Sequence, residues 1–465
     1  MNSIDLVIKG GQILTPNGRI EGVIGVEMGK IAFISMGWAP NAKETIEVPG
    51  KLIVPGFIDT HVHFRDPGVT YKEDFTTGTM AAAAGGITCV LDMPNTKPPV
   101  VTAERFRNKL EMIRNKALVD FAIYGGGTKI DEIPAILDAG AAGIKLFMVT
   151  DPKSGYPHDP ELFTGDDGVL YETLKKVASE GCFCAIHPGN QDIFVHESKK
   201  CWAAGRTRPK DFLSAYFGDD FIADHTAIST IAILARAAKA QTHILHVRSE
   251  GGLKIIEAAK KTGQKISIEA NPKYMLLNEN DMERLGPLAT PYGLSKTQQS
   301  VLWECLNNGQ IDILASDHAP HTKEEMFPGW KDAWAIPFGN PQLDHVVTVL
   351  LSKIGEGRTS LETLVRAYSE MPAKLLGIYP RKGVIQVGSD ADFTIIDQNA
   401  KGTLDDSNLY TKVGWSPYSG WDFQGRPVMT IVRGRVVMDQ GKVIGQPGWG
   451  RFIPGVRGKP DIKVG

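Results

Sequence analysis

The stretch "LYETLKKVASEGCFCAIHPGN" (residues 170–190) is one copy of a sequence pattern that recurs along the chain and from which the fold can be predicted. The first part carries apolar side chains at helical spacing and ends in a glycine. The second part is a compact apolar run that stops at a histidine. We therefore predict an amphipathic helix, a tight turn and a buried strand. Such strands between helices are typical of a parallel sheet covered on both faces.

The pattern recurs along the middle of the chain. Eight strands, separated by helices or helix-length segments over roughly 320 residues, predict a (β/α)8 TIM barrel, with a doubly wound open sheet as the alternative. The predicted strands are "FIDTHVHF", "TCVLDMPN", "VDFAIYGG", "IKLFMV", "CFCAIHPGN", "HILHVRSE", "ISIEANP" and "IDILASDHAPH".

Both ends of the chain have a different pattern. Residues 1–54 and 380–465 hold short alternating runs broken by glycine, which are typical of hairpin strands. We expect them to form one small β-sandwich beside a catalytic barrel of residues 55–379. The last stretch, "GWGRFIPGVRGKPDIKVG" (448–465), predicts an exposed tail that could serve as an oligomer arm.

Composition narrows the classes of function. The 465 residues carry a net charge near −2, so a nucleic-acid partner is not expected. No apolar stretch approaches the roughly 20 residues of a membrane span, and the N-terminus lacks the order of a signal peptide. Five scattered cysteines indicate reduced thiols and a cytoplasmic location. Cys182 and Cys184 could be a metal pair, although "CFCAIH" favours a buried strand in which cysteine acts as a small hydrophobe.

Polar residues fall where barrel enzymes place their chemistry, at the C-terminal ends of the strands. Each has an ordinary explanation alone: a core histidine, a snorkelling lysine or a helix cap. Together they predict a metal site, because the ordinary explanations would require all of these residues to lie at the same end of the barrel by coincidence. The candidates are His61 and His63 at the end of strand one, Lys145 in strand four, His187 ending strand five, His246 in strand six and Asp317 ending strand eight.

This donor set suits zinc, with manganese or iron harder to exclude. Four histidines and an aspartate exceed the three protein ligands of a usual catalytic zinc site, so two metals are expected. A protonated Lys145 cannot be a ligand, but its carboxylated form is a carbamate whose two oxygens can bridge two cations.

The motifs "PGFIDTHVHFRDPG", "AAAAGGITCVLDMPNTKPP", "GIKLF", "HVRS", "IDILASDHAPH" and "KGVIQVGSDADFTIID" resemble the cyclic amidohydrolases of the amidohydrolase superfamily: dihydroorotase, allantoinase and hydantoinase/dihydropyrimidinase. The resemblance covers essentially the whole chain. It implies hydrolysis of a small cyclic amide by hydroxide activated between two divalent metals, in a homodimer or homotetramer. It places His61 and His63 on one metal, His187 and His246 on the other, carboxylated Lys145 between them, and Asp317 as a ligand and catalytic proton shuttle.

Within this branch, "HFRDPG", "MPNT" and "SDHAPH" are most similar to dihydroorotase, which implies a substrate-carboxylate clamp of Arg65, Asn95 and His321. The alternative for Arg65 is a loop brace that pairs with Asp66, Glu73 or Asp74. Departures at Pro188-Gly189-Asn190, Pro272-Lys273-Tyr274, "LATPYG" and "IPFGNPQLDH" leave other substrates open: hydantoins or dihydropyrimidines, allantoin and cyclic imides. A non-catalytic scaffold is less expected, because all six metal-site residues are present.

Overall fold

The structure is a computed structural model that describes residues 4–150, 159–289 and 293–455. Its first strands are β1 (Ile4–Thr15), β2 (Gly18–Glu27), β3 (Lys30–Ser35), β4 (Ala42–Glu47) and β5 (Leu52–Pro55).

A closed barrel follows. Its strands are β6 (Phe57–Val62), β7 (Ile87–Asp92), β8 (Asp120–Ile123), β9 (Gly125–Gly126), β10 (Ile144–Phe147), β11 (Phe183–His187), β12 (Gln241–Ile244), β13 (Ile266–Ala270) and β14 (Ile313–Leu314). All neighbouring pairs are parallel. Strands β8 and β9 flank Tyr124 and together form the third barrel strand, and a parallel bridge between Val62 and His318 joins the last strand to the first. The TIM barrel is therefore confirmed, and the open doubly wound sheet is excluded.

The chain ends meet in one nine-stranded sheet. The C-terminal part supplies β15 (Phe393–Thr403), β16 (Asp422–Val432), β17 (Arg435–Asp439) and β18 (Lys442–Val443). The hydrogen-bonded order is β18-β17-β16-β15-β5-β1-β2-β3, and β4 also pairs with β1. Strand β5 joins the two chain ends, because it pairs with both β1 and β15. The predicted domain built from both chain ends is thus confirmed as β-rich, and its strands form a single branched sheet with its own apolar core cluster where a small β-sandwich was expected.

The helices mostly begin at side chains that cap them. Asp74, for example, accepts hydrogen bonds from two amides of the first turn that would otherwise lack partners. The α-helices are α1 (Phe75–Ala84), α2 (Ala103–Ile113), α3 (Ile133–Asp138), α4 (Asp167–Ser179), α5 (Gln191–Ala203), α6 (Pro209–Phe217), α7 (Ile222–Ala238), α8 (Glu250–Lys261), α9 (Pro272–Leu276), α10 (Glu279–Leu285), α11 (Lys296–Asn307), α12 (Lys323–Met326), α13 (Val346–Gly355), α14 (Leu361–Val365) and α15 (Met371–Leu375).

Several barrel strands are shorter than their apolar runs. His246 was expected inside strand six but lies two residues beyond β12, and Asp317 lies three residues beyond β14. Both residues have left-handed backbone, with φ of 38° and 49°. This conformation cannot continue an extended strand, so the ladder ends before the polar residues.

The described part of the C-terminal stretch is not an exposed tail. Phe452 and Ile453 are buried, and the backbone of this segment exchanges hydrogen bonds with Phe121 of β8. The prediction of a free arm is therefore wrong for residues 448–455, because the aromatic and aliphatic side chains pack on the barrel. Residues 456–465 lie outside the described part.

The prediction that no stretch approaches a membrane span is wrong, by length and hydropathy, for one helical run of the described part, Pro209–Ala238. Left-handed residues Asp220 and Phe221 interrupt it between α6 and α7. Helix α7 packs against α4 and α8.

Candidate active site

The predicted metal residues meet at one end of the barrel, where the strands end. His61 and His187 lie in strands, Lys145 points from β10, and His63, His246 and Asp317 follow strand ends. Cys182 and Cys184 do not join them. Cys184 is buried in the barrel core, and the candidate metal clusters found among the described residues contain no cysteine.

His61, His63 and Asp317 form one compact group. Their candidate ligand atoms all lie within 4.8 Å of one another. Asp317 Oδ1 is 3.3 Å from His61 Nε2 and 3.2 Å from His63 Nε2. In both rings Nδ1, the nitrogen that does not face Asp317, contacts an oxygen atom. His61 Nδ1 lies 2.8 Å from Glu269 Oε1, and His63 Nδ1 lies 2.7 Å from Asn95 Oδ1.

These outer hydrogen bonds decide which ring nitrogens carry protons. Carboxylate and amide oxygens only accept, so both rings donate from Nδ1. The Nε2 lone pair of neutral His63 then faces Asp317 Oδ1 with no proton between them, and His61 Nε2 faces the same oxygen. Burial lowers the pKa of His63 to about 3, so this ring is neutral at pH 7. A cation among the three atoms relieves the repulsion, and the group fits a metal.

His187 and His246 form a second group beside the first. Their Nδ1 and Nε2 atoms lie 2.8 Å apart, and the rings of His61 and His246 are 5.9 Å apart. The far nitrogen of His187, Nε2, is 2.8 Å from the Tyr216 hydroxyl. Burial, with the neighbouring His187 adding to it, holds the pKa of His246 well below its usual value. Two imidazole nitrogens this close together, His187 Nδ1 and His246 Nε2, are a suitable pair of ligands for a second cation.

Lys145 is fully buried, and among the described residues its Nζ has no hydrogen-bond partner. It lies over the Phe147 ring at 4.3 Å. An isolated ammonium is costly in such a place, and burial lowers the pKa of Lys145 to about 7. The unprotonated amine is the form that reacts with CO₂, so the environment suits the predicted carbamate. The six residues thus fit a binuclear centre, and their roles as ligands stay a prediction.

A second polar group surrounds Arg65 and His321. Arg65 Nη2 lies 3.2 Å from His321 Nε2, and Lys72 Nζ lies 3.0 Å from His321 Nδ1. Guanidinium and ammonium groups only donate, and a neutral imidazole has one accepting nitrogen, so His321 can accept from only one of the two cations. Burial, with Arg65 and Lys72 adding to it, lowers the pKa of His321 to about 3 and keeps the ring neutral. The Arg65 guanidinium and the Lys72 ammonium thus each contact one nitrogen of the His321 ring.

The acidic neighbours of Arg65 are engaged elsewhere. Asp66 pairs with Lys116, Glu73 accepts from Thr411, and Asp74 caps α1. Within the described residues, no ion pair joins any of these acids to Arg65, whose buried Nε also lacks a partner. The contacts of a loop brace are thus not formed. Asn95 was predicted to bind the substrate carboxylate, and in the structure its amide oxygen accepts a hydrogen bond from His63.

Three supporting residues were missed by the sequence analysis. Glu269 accepts from His61, Tyr216 contacts His187, and Lys273 Nζ lies 2.7 Å from Asp317 Oδ2. Burial raises the pKa of Glu269, but His61 and His243 outweigh it and keep the carboxylate charged. A carboxylate within the apolar strand "ISIEA" was the available signal for Glu269, whereas nothing nearby in sequence marks Tyr216 as a neighbour of His187.

The segments that depart from the dihydroorotase pattern have different positions relative to the candidate site. Asn190 caps α5 through its side chain. Lys273 reaches the candidate centre. Part of "LATPYG", residues 290–292, lies outside the described residues.

Comparisons with known proteins identify the family. The model of the amidohydrolase family matches residues 52–437. The chain is 36% identical to the L-hydantoinase of Paenarthrobacter aurescens over 457 residues, which cover 97% of this chain and 98% of that one. It is also 36% identical to the dihydroorotase of Methanothermobacter thermautotrophicus over 432 residues, covering 93% and 94% of the two chains.

A solved structure agrees with these matches. The L-hydantoinase (dihydropyrimidinase) from Arthrobacter aurescens superposes with a TM-score of 0.92 at 35% identity, covering 97% of this chain and 100% of that one. Amidohydrolases are generally binuclear metal enzymes, and the group of His61, His63 and Asp317 is a candidate site for one metal. On the length and identity of these matches, the chain belongs to the amidohydrolase family, in its branch of cyclic amidohydrolases, which hydrolyse C–N bonds in cyclic amides.

Proposed function

We propose that the protein hydrolyses a small cyclic ureide that carries a carboxylate, as in the interconversion of dihydroorotate and N-carbamoyl-aspartate. The observation that carries this proposal is the buried Arg65 guanidinium, which lies against His321 and, among the described residues, forms no ion pair with Asp66, Glu73 or Asp74. A guanidinium fork with an imidazole N–H matches a carboxylate. Asn95 completes the proposed clamp. The relatives include both a dihydroorotase and a hydantoinase, so the ring system alone does not identify the substrate.

The proposed cofactor is a pair of divalent cations, zinc in the first instance or manganese. His61, His63 and Asp317 would hold one, His187 and His246 the other, and carboxylated Lys145 would lie between them. When bound, such a pair supplies Lewis acidity and makes water available as hydroxide near neutral pH.

Asp317 is the proposed catalytic residue. It accepts a proton from the attacking water and delivers it to the ring nitrogen as the C–N bond breaks. The water oxygen becomes part of a new carboxylate, and the ring nitrogen leaves as an amide or ureido N–H. Arg65 and His321 hold the substituent carboxylate, which fixes the scissile carbonyl relative to Asp317.

The test of this function is Arg65→Met. Loss of one charged partner from a buried pair typically costs about 2–5 kcal/mol, which is roughly 30- to several-thousand-fold in kcat/KM for dihydroorotate. Hydrolysis of neutral dihydrouracil should change far less, because that ring has no carboxylate. Arg19→Met, which removes an arginine paired with Glu362 at the protein surface, is the control and should leave both rates unchanged.

A different pattern would favour the second candidate. A wild-type enzyme that prefers neutral hydantoins or dihydrouracil, and an Arg65→Met variant that loses them equally, would overturn the carboxylate proposal. The similarity to an L-hydantoinase is the observation that keeps this candidate in the assay panel.

We also propose a homodimer or homotetramer in the cytoplasm. All five cysteines are unpaired, which suits a reducing compartment. Sedimentation of the purified protein tests the assembly.

A further inference from the structure

Lys273 occupies an unusual place for a lysine. It lies in the first turn of α9, directly after β13, and its side chain is completely buried. A buried ammonium is retained only where it is paired, so its partner indicates what the residue does.

That partner is the proposed proton shuttle. Lys273 Nζ lies 2.7 Å from Asp317 Oδ2 and 3.0 Å from the Asp317 carbonyl oxygen. The other carboxylate oxygen, Oδ1, faces His61 and His63. The two oxygens of Asp317 therefore have separate partners, and the ammonium holds both the side chain and the backbone of this residue.

Asp317 needs such support. Its φ of 49° is in the left-handed region, which costs free energy for a residue with a side chain. A carboxylate also has two equivalent oxygens, either of which can turn toward a cation. Without an anchor on Oδ2, nothing in the contacts of Oδ1 fixes which oxygen faces the histidines.

We propose that Lys273 is a positioning residue that fixes the orientation of Asp317 and with it the proton delivery to the leaving nitrogen. This inference rests on the proposed function of Asp317. Lys273 itself touches neither substrate nor the broken bond in this scheme. Its removal should therefore lower kcat more than it changes KM, and the loss should depend on how much the leaving nitrogen needs a proton.

The test compares Lys273→Met, which keeps the length and removes the donors, with Lys273→Gln, which keeps an N–H donor. The substrates are the ring that the wild-type enzyme hydrolyses and its 2-thioxo analogue, whose more acidic nitrogen leaves more easily. We expect Lys273→Met to lower kcat about 100-fold on the parent ring, as for a small misplacement of a catalytic group. We expect less than about tenfold on the thioxo ring, KM within about threefold, and partial recovery in Lys273→Gln.

Two further measurements separate positioning from simple destabilisation. Crystal structures of Lys273→Met and of the wild type should show the Asp317 carboxylate turned from its wild-type orientation, whether or not metal is bound. Lys382→Met removes another buried, paired lysine, whose partner Asp120 is the first residue of β8 and so lies at the end of the strand away from the site. It should lower stability but give the same loss of kcat on both rings, if any, per folded molecule.

The outcomes have distinct meanings. An unmoved Asp317, or an equal loss of kcat on both rings, would overturn the role of Lys273. A variant with normal kcat alongside an inactive Asp317→Asn would overturn it while leaving the proposed function intact. A wild-type enzyme that opens no cyclic amide or ureide with added zinc or manganese would instead overturn the proposed function, and the crystal structures would still test the anchor. If Lys273→Met does not fold, Lys273→Gln carries the same comparisons.

Discussion

At the scale of single residues, Lys145 is defined by what surrounds it. A lysine on the surface of this barrel contacts water or an acid, whereas Lys145 has a phenyl ring beside it and no hydrogen-bond partner within the part of the chain that the structure describes. Carboxylation of Lys145 stays a prediction: it would replace the buried ammonium with a carbamate, an anion that two cations can share. The buried lysines Lys109 and Lys382 differ from Lys145, because each forms an ion pair with an aspartate.

The first prediction follows from this chemistry. Lys145→Ala should lose most bound metal and activity, by more than the roughly 10–100-fold that loss of an outer-shell contact costs. Lys145→Arg should fail as well, because arginine keeps the charge but forms no carbamate. Metal analysis and turnover check both variants, and short carboxylic acids with bicarbonate should partly restore the alanine variant. Two metals and normal turnover in Lys145→Ala would show that no carbamate is needed.

The second prediction concerns Asp317. Asp317→Asn keeps the shape but removes the base, and should lower kcat by about the 10²–10⁴-fold of a lost general acid–base group. Asp312→Asn is a control at the opposite end of the same strand, where the carboxylate binds Lys260. It should leave turnover nearly normal. Near-normal turnover of a metal-replete Asp317→Asn protein would remove this residue from the mechanism.

Residue types at strand ends were sufficient to predict which side chains meet at one end of the barrel, and their roles as metal ligands stay a prediction. The supporting contacts were not predictable in this way. Glu269 meets His61 across 208 positions of sequence, and Lys273 meets Asp317 across 44. "SDHAPH" also contains two histidines with unlike surroundings: His318 accepts from the Gln342 amide and lies beside Glu73, whereas His321 faces Arg65. Sequence spacing alone cannot tell such surroundings apart.

At the scale of elements, apolar runs predicted the barrel strands well and their ends poorly. The ends depend on single left-handed residues such as His246, which an apolar pattern does not reveal. The segment 448–455 was missed because its glycines and proline suggest a loop, while Phe452 and Ile453 supply the apolar contacts that hold it. Its backbone forms hydrogen bonds with Phe121 of β8, whereas it was predicted to extend away from the protein as an arm.

This segment gives the third prediction. Phe452 packs against Phe106 and Phe121, and Phe452→Ala should lower the free energy of unfolding by about 3 kcal/mol, within the range for buried phenylalanine. Phe327→Ala is the control, since Phe327 is 49% exposed and should cost well under about 1 kcal/mol. Denaturant titration checks both. Equal, small effects would mean that the segment does not contribute to the folded core.

At the scale of the whole molecule, a buried ion cluster joins the barrel to the β-rich domain. Asp120 belongs to barrel strand β8, while Asp390 and Asp392 directly precede β15. The three carboxylates are close enough to suggest a second metal site. The ammonium of Lys382 already lies among them, 2.6 Å from Asp120 and 3.2 Å from Asp390, and it also bonds Asp392. We therefore interpret the cluster as a structural joint.

The last prediction tests this joint. Lys382→Met keeps the volume of the side chain but leaves buried carboxylates without their main cation, and breaking such a pair from one side typically costs about 3–5 kcal/mol. Arg433 still contacts Asp120, so Asp390 and Asp392 should bear most of the cost. Lys254→Met removes a surface lysine paired with Glu250 and should cost at most about 1 kcal/mol. The measurement is the free energy of unfolding, with metal content recorded in parallel. Because the joint is separate from His61 and its neighbours, the folded Lys382→Met protein should keep both metals. Loss of metal at unchanged stability would instead identify the three aspartates as a cation site.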